Sequence, residues 1–392
     1  MKTEKVTWRV MRTIALALGG AGLLAAPLAS EVRLKQATQP LTDAWRHLPI
    51  EPRGSTLLGI SYRPPQVDAL GLEARSTLQT LLAYPFQLIR LGAYWNRIEP
   101  EPGLFETDEL DWQIDAAERA GKRVIVGVGP LKTFSYPEFF VPRHHLKQPF
   151  PEHTRIQPSA YASLLSASNA FIARLVERYK DRKAIVAWQV EHEAVDPLGV
   201  EHSWRLDTAF VAKEIEALRR ADPTRPIMMN GFLPTSLPVR FSQWWRTRDQ
   251  GDSLALAQRM ADIIGIDYYP RHALMAVGTR TLYLDGSQRP WQQQRRKQLF
   301  AYARAHGQKL MIAEGQAEPW ETVTLAPNPG RQGMYSCLPE QIITNYNTCM
   351  SWSPQDAPLF AYLFWGAEYW ILREQCADTS YLRAFARILE SA

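Results

Sequence analysis

The chain has 392 residues, of which 46% are hydrophobic and 22% are charged, and these proportions exclude a mostly disordered or fibrous protein. Of the formal net charge of +5, residues 1–30 carry +3 and the rest of the chain only +2. So small a charge does not favour nucleic acid or an anionic membrane surface as a partner.

The first 30 residues have the pattern of a secretory signal peptide. Basic residues stand among the first twelve, residues 13–28 carry no charge, and the small residues Ala29 and Ser30 follow. The apolar stretch has 16 residues, whereas a membrane-spanning helix needs about 20, so the pattern favours cleavage over an uncleaved membrane anchor. We therefore expect an exported protein, periplasmic or extracellular, in which residues 31–54 form an N-terminal extension and residues 55–392 form one domain.

Eight short apolar runs alternate with eight amphipathic stretches along the chain. The apolar runs are continuously apolar rather than alternating, which is typical of strands buried on both faces of a parallel sheet. They cover residues 57–61, 87–91, 123–128, 184–190, 227–230, 263–268, 309–313 and 359–364. The amphipathic stretches predict helices at residues 72–83, 107–120, 160–180, 207–221, 253–261, 291–305, 339–350 and 381–389.

Eight strand–helix pairs predict a single α/β domain, a (β/α)₈ TIM barrel with long loops at the carboxyl ends of its strands. A doubly wound open sheet is the alternative, but it would normally have a glycine-rich phosphate-binding turn after its first strand. The sequence Tyr62-Arg63-Pro64-Pro65 stands there instead, so the barrel is favoured.

Carboxylates follow two strands that lie roughly opposite each other in such a barrel. Glu193 follows the fourth predicted strand and Glu314 follows the seventh. Active sites of TIM barrels lie at this end of the strands, and hydrolysis of a glycosidic bond uses one protonated and one ionised carboxyl group. The sequence therefore predicts a glycosidase site here, for which no cofactor is expected. Glu191, two residues before Glu193, is interpreted as a structural partner, and Glu318 and Glu368 as charges on the rim.

Three segments resemble clan A glycoside hydrolases, especially family 5 and its relatives. The segment IRLGAYWNRIEPEPGLFETDELDWQIDAAERAGKRVIVGVG is similar to the clan's second and third strands, WQVEHE to its fourth, and IAEGQAEPW to its seventh. The resemblance implies a retaining hydrolase of a β-linked poly- or oligosaccharide, with Glu193 as acid/base and Glu314 as nucleophile. It also implies substrate-binding roles at Arg90, Trp95, His192, Tyr268 and Trp365, of which Arg90 and Tyr268 match positions that contact the nucleophile.

One residue departs from the clan's pattern. His192 stands where the clan usually has an Asn that binds the 2-hydroxyl of the sugar being cleaved, so the identity of that sugar stays open. A carbohydrate-binding barrel with lost or impaired catalysis is therefore an alternative to the enzyme.

A metal-dependent hydrolase is a less favoured alternative, because the sequence has neither HExxH nor a second cluster of ligands. The three cysteines lack metal-ligand spacing and allow one disulfide in an oxidising compartment, with the pair left open. The sugar and linkage, exo or endo action and the oligomeric state are not set by the sequence. Long loops at residues 134–158 and 316–336 are the expected walls of the sugar site.

Overall fold

Eight parallel strands close into a barrel in the computed structural model, which describes residues 31–197, 203–286, 290–323, 332–353 and 358–391. Each strand pairs with the next along the chain, and the eighth pairs with the first. The predicted TIM barrel is therefore confirmed. The strands are β1 (Leu57–Tyr62), β2 (Leu88–Gly92), β3 (Arg123–Gly127), β4 (Ile185–Gln189), β5 (Ile227–Phe232), β6 (Ile263–Tyr268), β7 (Lys309–Gln316) and β8 (Ala361–Trp365).

A helix of 8 to 18 residues follows every strand, as predicted. These helices are α1 (Ala74–Leu82), α2 (Asp108–Arg119), α3 (Ala162–Tyr179), α4 (Thr208–Ala221), α5 (Ser253–Met260), α6 (Pro290–Ala305), α7 (Pro339–Met350) and α8 (Ser380–Ser391). Carboxylates cap several of their first turns: the side chain of Asp207 accepts from the backbone N–H of Ala209, and that of Asp252 from Ala255. Gly121 ends α2 with φ of +68°, a conformation that favours glycine at this position.

The core has an inner and an outer layer. Inside the barrel, side chains from alternate positions of the strands meet at the axis, among them Leu88, Ile125, Met228, Met311 and Leu363, which are fully buried. A larger cluster lies between the strands and the surrounding helices. Because every strand is buried on both faces, its sequence is continuously apolar, which is the pattern that identified it.

Several elements were not predicted. Helices also form at Pro64–Ala69, Trp95–Ile98, Leu237–Thr247 and Ala367–Gln375. After β6, Arg271–Val277 and Arg280–Asp285 form an antiparallel hairpin, and Val32–Lys35 adds a third strand to it. Thr38–Pro40 pairs with Gln332–Met334. Two loops are joined by a parallel pair of two-residue strands, Arg155–Ile156 and Arg205–Leu206. The predicted N-terminal extension is thus joined to the barrel's loops by two small sheets.

The predicted signal peptide lies outside the described residues. Among the described helices, none has the length and apolar character needed to cross a membrane. Cys337, Cys349 and Cys376 are all free thiols, so the disulfide that the sequence allowed is not formed.

Candidate active site

Glu314, near the end of β7, has both carboxylate oxygens occupied by hydrogen-bond donors. Nη2 of Arg90 lies 2.6 Å from Oε1, and the hydroxyl of Tyr269 lies 2.5 Å from Oε2. Glu314 is only 2% exposed. Burial raises the pKa of its carboxyl group, while the charge of Arg90 and the hydrogen bond from Tyr269 oppose that rise. The predicted contact between Arg90 and Glu314 is present.

The tyrosine that contacts Glu314 is Tyr269, and the prediction of Tyr268 for this position is wrong. Side chains alternate along a strand, so Asp267 and Tyr269 face the centre of the barrel mouth and Tyr268 faces outward. The ring of Tyr268 packs edge-on against Trp352, with 4.8 Å between ring centroids, and it is 5% exposed. The strand was predicted with its observed bounds, but the side-chain direction at its end was misassigned.

Glu193 lies just beyond β4 in a backbone conformation with φ of +42°, which is uncommon for a residue other than glycine. Its half-buried carboxyl group has a pKa well above the ordinary value. The largest cause is burial, followed by the nearby carboxyl groups of Asp267, Glu138 and Asp196, while the ammonium of Lys132 opposes the rise. Nζ of Lys132 also holds the backbone here, donating to the carbonyl oxygen of Glu193 over 2.8 Å.

Glu191 belongs to the scaffold of this turn, in agreement with its interpretation from the sequence. Its carboxylate accepts hydrogen bonds from the backbone N–H groups of Leu131 (3.1 Å) and Lys132 (2.5 Å). It also hydrogen-bonds to the buried carboxyl of Glu214, and burial raises the pKa of Glu191 to about 7. Gly129 permits the close approach of the Glu191 backbone, because a Cβ at position 129 would lie 2.0 Å from the backbone nitrogen of Glu191.

His192 is buried between the two candidate catalytic residues. Its Nδ1 lies 3.5 Å from Oε1 of Glu314 and 2.9 Å from Nδ2 of Asn230. The same amide nitrogen donates to Oδ2 of Asp267 over 2.6 Å. Asn230 and Asp267 were not identified from the sequence, although both are polar residues within otherwise apolar strands.

Trp365, at the end of β8, is half-buried beside Arg90 and Phe134. The guanidinium of Arg63 lies 4.0 Å from the centroid of its ring, so one region of the indole is fixed by a cation–π contact. Arg63 in turn binds Glu318 (2.8 Å) and Glu368 (2.6 Å). The prediction that these two glutamates are rim charges is wrong, since both are partners of a buried arginine and Glu368 is 0% exposed.

Trp95 does not reach the barrel mouth, so its prediction as a substrate-binding residue is wrong. The chain leaves β2 through the short helix Trp95–Ile98, which buries the indole completely. The ring stacks on His145, with 4.5 Å between centroids, and Nε1 donates to Oε2 of Glu99 over 2.7 Å. The hydrogen bond satisfies the only polar group of the indole, as is usual for a buried tryptophan.

An aromatic wall that the sequence did not identify stands beside Glu314. The ring centroid of Trp320, in the loop after β7, lies 5.1 Å from that of Tyr269 and 5.3 Å from that of His272 in the hairpin after β6. Trp320 is 38% exposed. The predicted loop after β7 therefore does supply a wall, but its residues 324–331 lie outside the described part of the chain.

Two groups of three side chains in the site, each including His192, have atoms close enough together to bind a metal ion. Ligand-type atoms of His192, Asp267 and Glu314 lie within 4.8 Å of one another, as do those of Glu138, His192 and Glu193. The guanidinium of Arg90, 2.6 Å from Glu314, already places a positive charge at the first set. This arrangement disfavours a second cation there and suits an ionised nucleophile.

Comparisons with known proteins support the barrel fold and the resemblance of this chain to clan A glycoside hydrolases. Residues 61–202 match a family model described as beta-galactosidase, which covers less than half of the chain. The matched segment contains Arg90, His192 and Glu193 and ends before Glu314. A search of curated protein sequences finds no match.

The fold is similar to solved glycoside hydrolase structures at low sequence identity. GH5_18 from Streptomyces cattleya, in complex with GlcNAc, is 14% identical over 86% of this chain and 81% of that chain, with a TM-score of 0.54. A variant of it in complex with Manb1-4GlcNAc is 15% identical over 79% and 71%, with a TM-score of 0.50. The beta-galactosidase from Bacillus circulans sp. alkalophilus is 13% identical over 87% and 56%, with a TM-score of 0.52. Together with the family match, these barrels confirm the resemblance to clan A glycoside hydrolases.

Proposed function

We propose that the chain is a retaining glycoside hydrolase that cleaves β-linked sugars outside the cytoplasm. The observation that carries this proposal is the contrast between two neighbouring carboxyl groups. Burial raises the pKa of both groups, but Arg90 and Tyr269 donate to Glu314 and oppose the rise there, whereas three further carboxyl groups raise the pKa of Glu193 well above its ordinary value. Two carboxyl groups whose pKa values are separated by their surroundings are the requirement for acid-assisted glycoside cleavage.

In the first step, the carboxylate of Glu314 attacks the anomeric carbon while the glycosidic C–O bond breaks. Glu193 gives its proton to the departing oxygen, so the leaving group departs as a neutral alcohol and Glu193 becomes an anion. In the second step, Glu193 removes a proton from water, whose oxygen attacks the same carbon and releases Glu314. Two inversions give net retention, and both glutamates return to their starting states.

The sugar would bind between the aromatic residues of the barrel mouth. Trp365 lies beside Arg90, and Trp320 lies beyond Tyr269 with more than a third of its surface exposed. Flat apolar rings of this kind stack on the C–H faces of sugars. The family description and the sugars bound to the similar structures make β-galactosides, β-mannosides and β-N-acetylglucosaminides the first substrates to test. Export is proposed from residues 1–30.

Turnover of a panel of aryl β-glycosides by the purified protein tests the proposal. Glu314→Gln should abolish turnover, and dialysis against a chelator should not change it. Glu193→Gln should slow substrates with poor leaving groups by about 10²–10⁴-fold, and those with good leaving groups much less, because the latter need little acid assistance. A wild type that binds glycans but cleaves none would favour the binding-only barrel instead.

A further inference from the structure

We infer that Asn230 is a positioning residue that fixes His192 as the tautomer with its proton on Nε2, so that this N–H is the donor offered to a substrate hydroxyl. The inference follows from a chain of hydrogen bonds that runs from Arg90 through Gln189 and Asn230 to His192. The claim that Nε2 carries the proton depends on this geometry alone. The claim that Nε2 donates to a substrate hydroxyl rests on the proposed function.

The orientation of the Gln189 amide is set at both of its ends. Nη1 of Arg90 lies 3.4 Å from Oε1 of Gln189, and a guanidinium can only donate. Nε2 of Gln189 lies 3.2 Å from the backbone carbonyl oxygen of Glu191, which can only accept. The oxygen of this amide must therefore face Arg90 and its nitrogen must face away from it.

The nitrogen of Gln189 then determines the orientation of the next amide. Nε2 of Gln189 donates to Oδ1 of Asn230 over 2.9 Å, so Nδ2 of Asn230 points toward His192 and Asp267. One of its two hydrogens is donated to Oδ2 of Asp267 over 2.6 Å, and the other faces Nδ1 of His192 over 2.9 Å. A ring nitrogen that faces an N–H donor must accept, and a neutral imidazole has one donor and one acceptor. Nδ1 is thus unprotonated and Nε2 carries the proton.

Burial and two nearby positive charges keep the ring of His192 neutral. Burial lowers the pKa of His192 well below the ordinary value, and the positive charges of Arg90 and Lys132 lower it further. Four carboxyl groups also face the ring: Glu314, whose Oε1 lies 3.5 Å from Nδ1, and Asp267, Glu138 and Glu193. Glu314 is the acceptor that would otherwise attract a proton to Nδ1, and Asn230 occupies that nitrogen instead.

This arrangement gives a chemical meaning to His192 at the position where related barrels usually have Asn. An Asn side chain offers an N–H donor when the nitrogen of its amide faces the substrate, and an imidazole offers one at Nε2 in only one of its two neutral tautomers. Gln189 and Asn230 select that tautomer, and the substrate hydroxyl that meets Nε2 of His192 must therefore accept a hydrogen bond.

The tautomer can be measured without any substrate by long-range ¹H–¹⁵N NMR of the histidine-labelled full-length protein, with the His192 signals assigned by their loss in His192→Asn. We expect a pyridine-type shift at Nδ1 and a pyrrole-type shift at Nε2. His306 provides an internal reference of the opposite kind, because its Nδ1 lies 2.8 Å from the carbonyl oxygen of Tyr302 and must donate. A pyrrole-type shift at Nδ1 of His192 in the wild type would overturn the inference.

Asn230→Leu tests whether Asn230 selects the tautomer. Without the Asn230 donor, the nearest partner of Nδ1 is Oε1 of Glu314, so the proton should move to Nδ1 while the His306 signals stay unchanged. An unchanged His192 pattern in a variant with a native circular dichroism spectrum would contradict the role of Asn230.

Activity provides the second readout. The preference of the enzyme for a 2-hydroxy over a 2-deoxy aryl glycoside should fall by about tenfold in Asn230→Leu, which is the loss of one hydrogen bond. Comparing this preference between the wild type and Asn230→Leu cancels the intrinsic reactivity of the two substrates. An unchanged preference would refute the claim that Nε2 of His192 donates to the substrate. If no sugar is cleaved at all, the proposed function fails, and the NMR result still decides the tautomer.

Discussion

The hydroxyl of Tyr269 lies 2.5 Å from Oε2 of Glu314, on the side of the carboxylate opposite to Arg90. Burial and the neighbouring carboxylates raise the pKa of Tyr269 well above its ordinary value, so the phenol stays protonated and remains a donor. Arg90 and Tyr269 together favour the charged form of Glu314, against the effect of burial, and restrict its rotation. A carboxylate held in this way is oriented before the sugar arrives, which lowers the entropic cost of attack.

Tyr269→Phe should reduce kcat/KM by about 10²-fold, because it removes one of the two donors that hold the nucleophile. Tyr268→Phe is the matched control, since the adjacent ring packs against Trp352 and has no contact with Glu314 among the described residues. It should leave kcat/KM within a few-fold of the wild type. Equal losses in the two variants, measured with the same aryl glycoside, would contradict the assignment of Tyr269.

Asp267→Asn should move the basic limb of the pH profile of kcat/KM to lower pH by about one unit. The basic limb reports the loss of the proton from Glu193, and the charge of Asp267 raises the pKa of that group. Replacing a carboxyl by an amide removes the repulsion, so Glu193 loses its proton at lower pH. A profile that stays in place or moves upward would show that Asp267 does not control Glu193.

Trp320→Ala should raise KM by about tenfold and change kcat less, because an aromatic platform contributes binding rather than chemistry. Trp320→Phe should recover most of the affinity, since it restores an apolar ring at the same place. Steady-state kinetics on the same substrate distinguish these cases. A loss confined to kcat would instead assign Trp320 a part in orienting Tyr269, whose ring centroid lies 5.1 Å away.

Glu214→Gln should flatten the dependence of stability on pH. Burial raises the pKa of Glu191 from an ordinary value of 4.5 to about 7, and the pKa of Glu214 is also raised by burial and by Glu191. At these two groups the folded protein binds more protons than the unfolded chain. The contribution of the pair to stability is therefore fully present below pH 4.5 and is lost as the pH rises through about 7.

A Gln at position 214 offers an N–H to Glu191 in place of the shared proton, so less stability should be lost as the pH rises. Between pH 5 and pH 8, denaturant unfolding should show the wild type losing about 1–3 kcal/mol more than the variant. Parallel curves would mean that the two carboxyl groups do not share a proton in the folded state.

The barrel was predictable because it depends on patterns that are local in sequence, and the contact between Arg90 and Glu314 was expected from the resemblance to clan A glycoside hydrolases. Continuous apolar runs gave β6 its observed bounds, and a buried arginine within an apolar strand indicated Arg90. The direction of a side chain at the end of a strand is harder to predict, since Tyr268 and Tyr269 are adjacent and either could face the barrel mouth. The three-dimensional packing against Trp352 decides between them.

Other parts of the site depend on contacts between residues far apart in the chain. Asn230 and Asp267 acquire their roles only because β4, β5 and β6 are neighbours in the barrel. The hairpin after β6 has one local feature in its sequence, which is the glycine at position 278. Gly278 lies in the turn between the two strands with φ of +60°, a conformation that favours glycine. The irregular register of the hairpin near Ala273 and Met275 interrupts the alternation that would have identified the first of those strands.

Trapping the glycosyl-enzyme tests the central claim most directly. The protein would be incubated with a panel of 2-fluoro glycosyl fluorides, which form the covalent intermediate readily and release it slowly, and then examined by intact mass and peptide mapping. We predict one added sugar on the peptide that contains Glu314, and no adduct in the Glu314→Gln variant. An adduct on Glu191 or Glu193 would reverse the proposed roles, and an active wild type that never forms an adduct would contradict a retaining mechanism through Glu314.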